Sequence, residues 1–178
     1  MTGPVGQPER ATQNRVIALF RDELRYRYLG DWTDRDGNSN IEEGLLSAWL
    51  TRSGYTPGQI GVALHKVRTE ANNHSRALIG NNQAVYNLLR YGVPVKIEAG
   101  KATETIPLID WHRPERNDFA IAEEVTLTGN LERRPDIVLY VNGIPGGVPN
   151  GLKRSNGSFT GSMPLLQRLS ENGGLATT

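Results

Sequence analysis

Apolar residues in the first half of the chain recur at helical spacing. From about Arg10 to Leu29, Val16, Ile17, Leu19, Phe20, Leu24 and Tyr28 are interleaved with Arg21, Arg25 and Arg27 in the steps of an amphipathic helix. The run from Asp34 to Asn40 marks a turn, and Asn40 with Glu43 three residues on forms a capping box that predicts a helix from Ile41 to about Arg52. Gly54 ends that helix and Thr56-Pro57 starts a third, which continues through Ile60, Val62, Leu64 and Val67 to Asn72-Asn73. A fourth runs from about Asn81 to Tyr91 and stops at Gly92. Beyond Gly92 the period changes. Val93 to Glu98, Glu104 to Asp110, Phe119 to Thr128 and Asp136 to Val141 are short β-rich runs separated by Gly, Pro and Asn, which predict strands in hairpins. Helices first and a mostly antiparallel sheet afterwards is the order of an α+β fold, with the helices packed on the sheet.

Composition narrows the class without naming a partner. The chain has 178 residues, enough for one domain, with 20 Lys and Arg against 19 Asp and Glu and a net charge of +1. It has no cysteine, so disulfides and thiolate metal sites are excluded. No apolar run is long enough to span a bilayer and the N-terminus lacks the apolar core of a signal peptide, so a soluble cytoplasmic protein with no membrane partner is expected. Residues 1–10 read as a loose lead-in, 11–155 as the folded domain, and 156–178, rich in Gly and Ser, as a poorly ordered tail.

Three local patterns bear on chemistry. Asp34, Asp36, Asn38 and Asn40 alternate like the start of an EF-hand loop, but Ser39 stands where Gly is needed and Leu45 where a bidentate Glu is needed, so Asx turns account for them. Glu42 falls in the middle of the apolar arc formed by Ile41, Leu45, Leu46, Trp49 and Leu50. A buried carboxylate there requires a cation, a proton or a basic partner, and an internal salt bridge and a functional role serve equally well. The segment from Arg133 to Pro145 contains Asn142-Gly143, the preferred type I′ hairpin turn. In an unbulged ladder about that turn Asp136 lies opposite Pro149, and residues 149, 151 and 153 share its face, which brings Lys153 within reach. An Asp and a Lys on neighbouring strands with a buried Glu are parts of a magnesium-dependent phosphodiesterase site; they also describe a surface cross-strand pair. Arg133, Arg134 and Arg154 make this region locally basic, which suits a phosphate backbone. His65, His74 and His112 show no metal spacing, and no P-loop is present.

Seven ordered blocks between Tyr26 and Ser155 carry a family resemblance. They are YRYLGDW (26–32), NSNIEE (38–43), YGVPVK (91–96), LIDW (108–111), NDFAIAEEVT (117–126), RPDIVLYVNG (134–143) and LKRS (152–155). Together they resemble the N-terminal nuclease domain of the R (restriction) subunit of type I restriction-modification enzymes, within the PD-(D/E)xK nuclease superfamily. The resemblance implies a restriction-endonuclease-like fold and hydrolysis of double-stranded DNA with Mg²⁺. It implies Glu42 as the helical acid, Asp136 as the Asp of the Pro-Asp pair and Lys153 as the Lys of the E-x-K element, with Glu42 and Asp136 on the metal. It further implies methyltransferase and specificity subunits as partners, and ATP for a translocase that follows in full-length members and is absent from this sequence. The sequence departs from the pattern at one place. Gly151 stands where the family has an acid, and the run from Asp136 to Lys153 is one residue longer than usual. A catalytically impaired remnant, retaining only weak DNA or subunit binding, is therefore the alternative. Glu123, which alternates with Phe119, Ile121, Val125 and Leu127, is the candidate replacement acid for the metal, its other reading being a partner of Arg133 or Arg134.

Overall fold

The computed structural model describes residues 7–35, 41–97, 100, 102–125 and 135–147. The expected α+β class holds. The chain forms α1 (Gln7–Ala18), a π-helical turn (Leu19–Glu23), β1 (Arg27–Asp31), α2 (Glu43–Arg52), α3 (Pro57–Ala71), α4 (Leu78–Tyr91), β2 (Val93–Val95), β3 (Glu104–Ile106), a 3₁₀ turn (Pro114–Arg116), β4 (Phe119–Glu123), β5 (Ile137–Val141) and β6 (Ile144–Gly147). These fall into two compact units, residues 1–42 with 118–178, and residues 43–117. None of the described helices is long and apolar enough to cross a membrane.

The first unit is a four-stranded sheet in the order β1-β4-β5-β6. Its central strand, IVLYV, is buried at every position, as expected of a strand covered on both faces. On one face Val16 and Ile17 of α1 pack against Ile121, Ile137 and Leu139, with Phe20 and Tyr26 alongside. On the other, Ala120, Ala122, Val125, Val138 and Tyr140 are covered by Leu29 and Trp32.

The first helix stops short of its expected end at Leu29. Arg25 adopts φ 61°, a left-handed conformation no helix propagates, and residues 27–31 become β1, which runs parallel to β4. Tyr26, Tyr28 and Leu29 fit either period over so short a run, and pairing with β4 decides between them. The β5–β6 hairpin turns at Asn142-Gly143, both with positive φ (53° and 82°), as the type I′ reading requires. Its ladder differs from the regular register: Val141 pairs with Ile144 and Tyr140 with Pro145, but Leu139 pairs with Gly147, one residue further than regular pairing gives. A bulge exchanges the facing of whatever follows it, so the assignment of residues 149, 151 and 153 to the face of Asp136 does not carry over from the unbulged ladder. Those residues lie outside the described ones.

In the second unit α2, α3 and α4 share a core with the β2–β3 ribbon, built on Leu46, Leu50, Ala63, Val67, Val93, Val95 and Ile106. The start expected at Thr56-Pro57 is a full capping box: the Thr56 hydroxyl accepts from the Gln59 amide and the Gln59 side chain accepts from the Thr56 amide. Gly92 ends α4 at φ 83°, where an added Cβ would lie 2.6 Å from Thr105 Cγ2. His65, His74 and His112 are exposed. The Asn40 cap of α2 and the tail beyond 155 lie outside the described residues.

The hairpin turn is tied to β4 through one fully buried side chain. Asn142 Oδ1 accepts from the Asp118 amide at 2.7 Å, and the Asn142 amide donates back to the Asp118 carbonyl at 2.8 Å. Asn142→Ala removes the acceptor of the partly buried Asp118 amide and places a Cβ residue without a local hydrogen bond at positive φ, whereas Asn142→Gly incurs only the first cost. Urea denaturation should show both variants destabilised, Gly by about 1–3 kcal/mol and Ala by roughly 1–2 kcal/mol more.

Candidate active site at one end of the sheet

Strand directions bring several acids to the same end of the first unit. β1 and β4 run parallel and β5 antiparallel to both, so Asp31 and Glu123, which end their strands, lie at the end where Asp136 precedes β5. Glu123 is 5% exposed. Its Oε1 accepts from the Tyr28 hydroxyl at 2.5 Å, and its Oε2 accepts from Gln13 Nε2 at 3.2 Å. The same Gln13 nitrogen reaches Glu124 Oε1 at 3.4 Å and the Asp136 carbonyl at 3.2 Å. Arg10 completes the group, its guanidinium lying 3.4 Å from Glu123, 3.5 Å from Glu124 and 4.0 Å from Asp31. Helical spacing explains the pairing of Arg10 with Gln13, since residues three apart share a face. Glu124 turns out of the strand at φ 51°, its amide on the Asp136 carbonyl.

Glu42 is buried, as the helical arc predicts, but sits just ahead of α2 and at the other end of β5. Its amide donates to the carbonyl of Gly143 in the hairpin turn at 2.8 Å. Its Oε2 accepts from Arg35 Nη2 at 2.8 Å, and the Arg35 guanidinium lies 3.9 Å from the centroid of the Trp32 ring. Glu42 Oε1 and the Tyr140 hydroxyl are buried there without a described hydrogen-bond partner. Burial, reinforced by the charge of Glu42, pushes the Tyr140 phenol well above its ordinary range. A five-residue strand spans ~17 Å, and no described contact joins Glu42 to Asp136. Of the sequence-derived set the structure thus brings Glu123 and Asp136 to one end of the sheet and leaves Glu42 beside the turn at the other. Lys153, Gly151, Arg133, Arg134 and Arg154 lie outside the described residues.

Sequence reading did not anticipate Asp31, Glu124, Tyr28, Arg10 or Gln13 at this site. The adjacent acids Glu123-Glu124 at the end of an apolar strand were a signal. The N-terminal donors were not, because their partners on β4 and beside β5 lie 95 to 123 positions away and depend on the parallel β1–β4 pairing. Among the described residues no three Asp, Glu, His or Cys side chains are grouped so as to hold an ion. The donor chemistry nevertheless suits Mg²⁺, which takes one or two protein carboxylates and keeps several waters.

The Tyr28 hydroxyl is pushed up to about 12, chiefly by its hydrogen bond to Glu123, then by desolvation and by the charges of Glu123 and Asp31. A raised tyrosine favours the fold as the neutral form, so this contribution is intact below pH 10 and is lost as pH rises from there through 12. In Glu123→Gln the Tyr28 pKa should fall back toward 10, read from the Cζ shift of ¹³C-labelled tyrosine. An unmoved titration would show that Glu123 is not its partner.

Comparison with known proteins gives these elements a context. The family model for the type I restriction enzyme R protein N terminus matches residues 6–148, which takes in α1, both sheets and the hairpin. A protein described as the MjaIXP endonuclease subunit of a type I restriction enzyme, from Methanocaldococcus jannaschii, is 27% identical over 106 residues, covering 56% of this chain and 9% of that protein. The chain therefore spans only a small fraction of the relative's length. Six of the seven sequence blocks that carry the resemblance fall within this match, which covers most of the chain, and the chain belongs to the family of type I restriction enzyme R protein N termini.

Proposed function

We propose that this chain is the DNA-cleaving domain of a type I restriction enzyme R subunit, of PD-(D/E)xK type, and that its reaction centre is the sheet end where Asp136 and Glu123 meet. The observation that carries the reading is the antiparallel β4–β5 pair, which sets Glu123 opposite Ile137 and so at the same end of the sheet as Asp136. Asp136 and Glu123 would hold Mg²⁺, which when bound polarises the scissile phosphate and lowers the pKa of a water. Tyr28 and Gln13 orient the Glu123 carboxylate, and Arg10 supplies positive charge beside it. Lys153 is assigned the role of orienting the attacking water or offsetting charge that develops on the phosphate, and Arg133, Arg134 and Arg154 that of binding the DNA backbone. Glu42, which the family resemblance makes a ligand, is supported better as the partner of Arg35, the salt-bridge reading left open by its sequence. In the assembled enzyme the duplex sequence would be chosen by the specificity subunit alongside the methyltransferase, and ATP would serve the motor of full-length members.

Gly151 favours a second reading, that of a catalytically impaired copy. A site lacking that acid has one negative charge fewer for a divalent ion, and misplacing a catalytic group by ~1 Å lowers the rate ~100-fold. The chain should therefore relax supercoiled plasmid very slowly with Mg²⁺, and Gly151→Glu, combined with deletion of Asn150, should raise nicking above the Lys153→Ala blank. Robust cleavage by the unaltered chain, lost in that blank, would instead establish an active nuclease that does not need an acid at 151.

Titration calorimetry with Mn²⁺ separates the acids. Asp136→Asn and Glu123→Gln should each weaken binding at least tenfold, while Glu42→Gln should leave it within about twofold and lower thermal stability. Weakened Mn²⁺ binding in Glu42→Gln would restore Glu42 to the metal.

A further inference from the structure

The second unit contains an open cavity of about 550 Å³, within the ~300–1,000 Å³ of small-molecule sites. It lies among the C-terminal halves of α2 and α4, the loop that follows β3 and the 3₁₀ turn, and uses none of the acids of the sheet end. Its lining holds four arginines against a single carboxylate, Asp110. That carboxylate is already engaged, its Oδ1 accepting from the His112 and Arg113 amides at 3.2 and 2.9 Å, which fixes the loop that presents Arg113. Arg113 Nε lies 3.9 Å from Asp110 and its side chain is 64% exposed. Arg90 and Arg116 have no carboxylate partner among the described residues.

Aromatic rings are set among these charges. Trp111 donates its indole N–H to the Leu89 carbonyl at 2.9 Å, and the buried Trp49 donates to the Arg116 carbonyl at 2.9 Å, so both indoles are held by backbone and the partly exposed Trp111 offers ring surface instead of a donor. The Arg90 guanidinium lies 5.7 Å from the Trp111 centroid. Tyr91, the last residue of α4, is 73% exposed. Arginines in excess of acids call for an anion; a fixed indole and an exposed phenol call for a planar ring. One chemical unit has both, a phosphate ester attached to an aromatic base. A duplex keeps its base faces stacked away from protein, whereas an unpaired base offers its face to aromatic side chains at little dependence on sequence.

We propose that this cavity binds one unpaired nucleotide, its phosphate on Arg113 and Arg116 and its base against Trp111 and Tyr91. The nucleotide comes either free from solution or from a single strand, and the two sources share the same contacts. The inference stands apart from metal-dependent cleavage, since the residues and the unit differ.

Fluorescence anisotropy of labelled dT12 on the whole chain, in EDTA to silence any cleavage, tests it. Unlabelled dT12, dTMP, ATP, inorganic phosphate and a 12-base-pair duplex serve as competitors. Tyr91→Ala should weaken dT12 binding at least fivefold while Tyr91→Phe retains it, and both should keep the parent's far-UV spectrum. Arg113→Gln with Arg116→Gln should make the slope of log K against log salt shallower by about 0.7, one single-strand phosphate. Competition by dTMP and ATP would assign the site to free nucleotides; binding of dT12 without it would assign the site to a strand. The proposal is overturned if neither labelled dT12 nor a labelled ATP analogue binds, if duplex competes as well as single strand, if dTMP competes but inorganic phosphate competes as well, or if the variants bind like the parent.

Discussion

Burying a carboxylate at the end of a central strand costs several kcal/mol unless donors surround it, and among the described residues the side-chain donors of Glu123 all come from the first thirty. Tyr28 supplies one from β1, Gln13 and Arg10 supply the others from α1. The polar requirement of one residue in β4 thus determines where the N-terminal segment docks, and the apolar contacts of Val16 and Ile17 with Ile121, Ile137 and Leu139 follow the same geometry. The Gln13 amide then carries the arrangement to β5 through the Asp136 carbonyl. Electrostatic and hydrophobic demands agree on one packing, as a sequence that specifies a single structure requires.

What could be read ahead of the structure was what local chemistry determines. The Thr56-Pro57 start, the Asn142-Gly143 turn and the glycine stop at 92 each depend on residues within a few positions, and each stands where it was expected. The segment after Phe20 failed for a physical reason. Its period is compatible with helix and strand alike, and a partner strand some ninety positions away resolves it. The buried state of Glu42 was legible from its place in an apolar arc, whereas its pairing with Arg35, seven residues earlier in a turn whose shape composition does not encode, was not. The bulge between Leu139 and Tyr140 left no mark in the alternation of β5, because that strand is apolar at every position and alternation carries no information there.

The two ends of β5 hold acids in different surroundings. Beside the turn, Glu42 is shielded and charge-matched by Arg35, which itself rests on the Trp32 ring. At the opposite end, Asp136 is exposed and Glu123 lies just within, its oxygens bonded to Tyr28 and Gln13 and flanked by the half-exposed Arg10 side chain.

The parallel β1–β4 pair also governs the order in which the chain can assemble. Tyr28 and Glu123 meet across 95 positions, and the intervening stretch, residues 43–117, is a compact unit with its own core. Closing so long an open loop is a slow entropic search, whereas a loop whose interior has already condensed has only its short flanks left to order. The sheet is the non-local half of the molecule and the inserted unit the local half. Synthesis from the N-terminus leaves α1 and β1 without their partners until β4 and β5 emerge, so the first thirty residues must wait, exposed, for the hairpin that completes them.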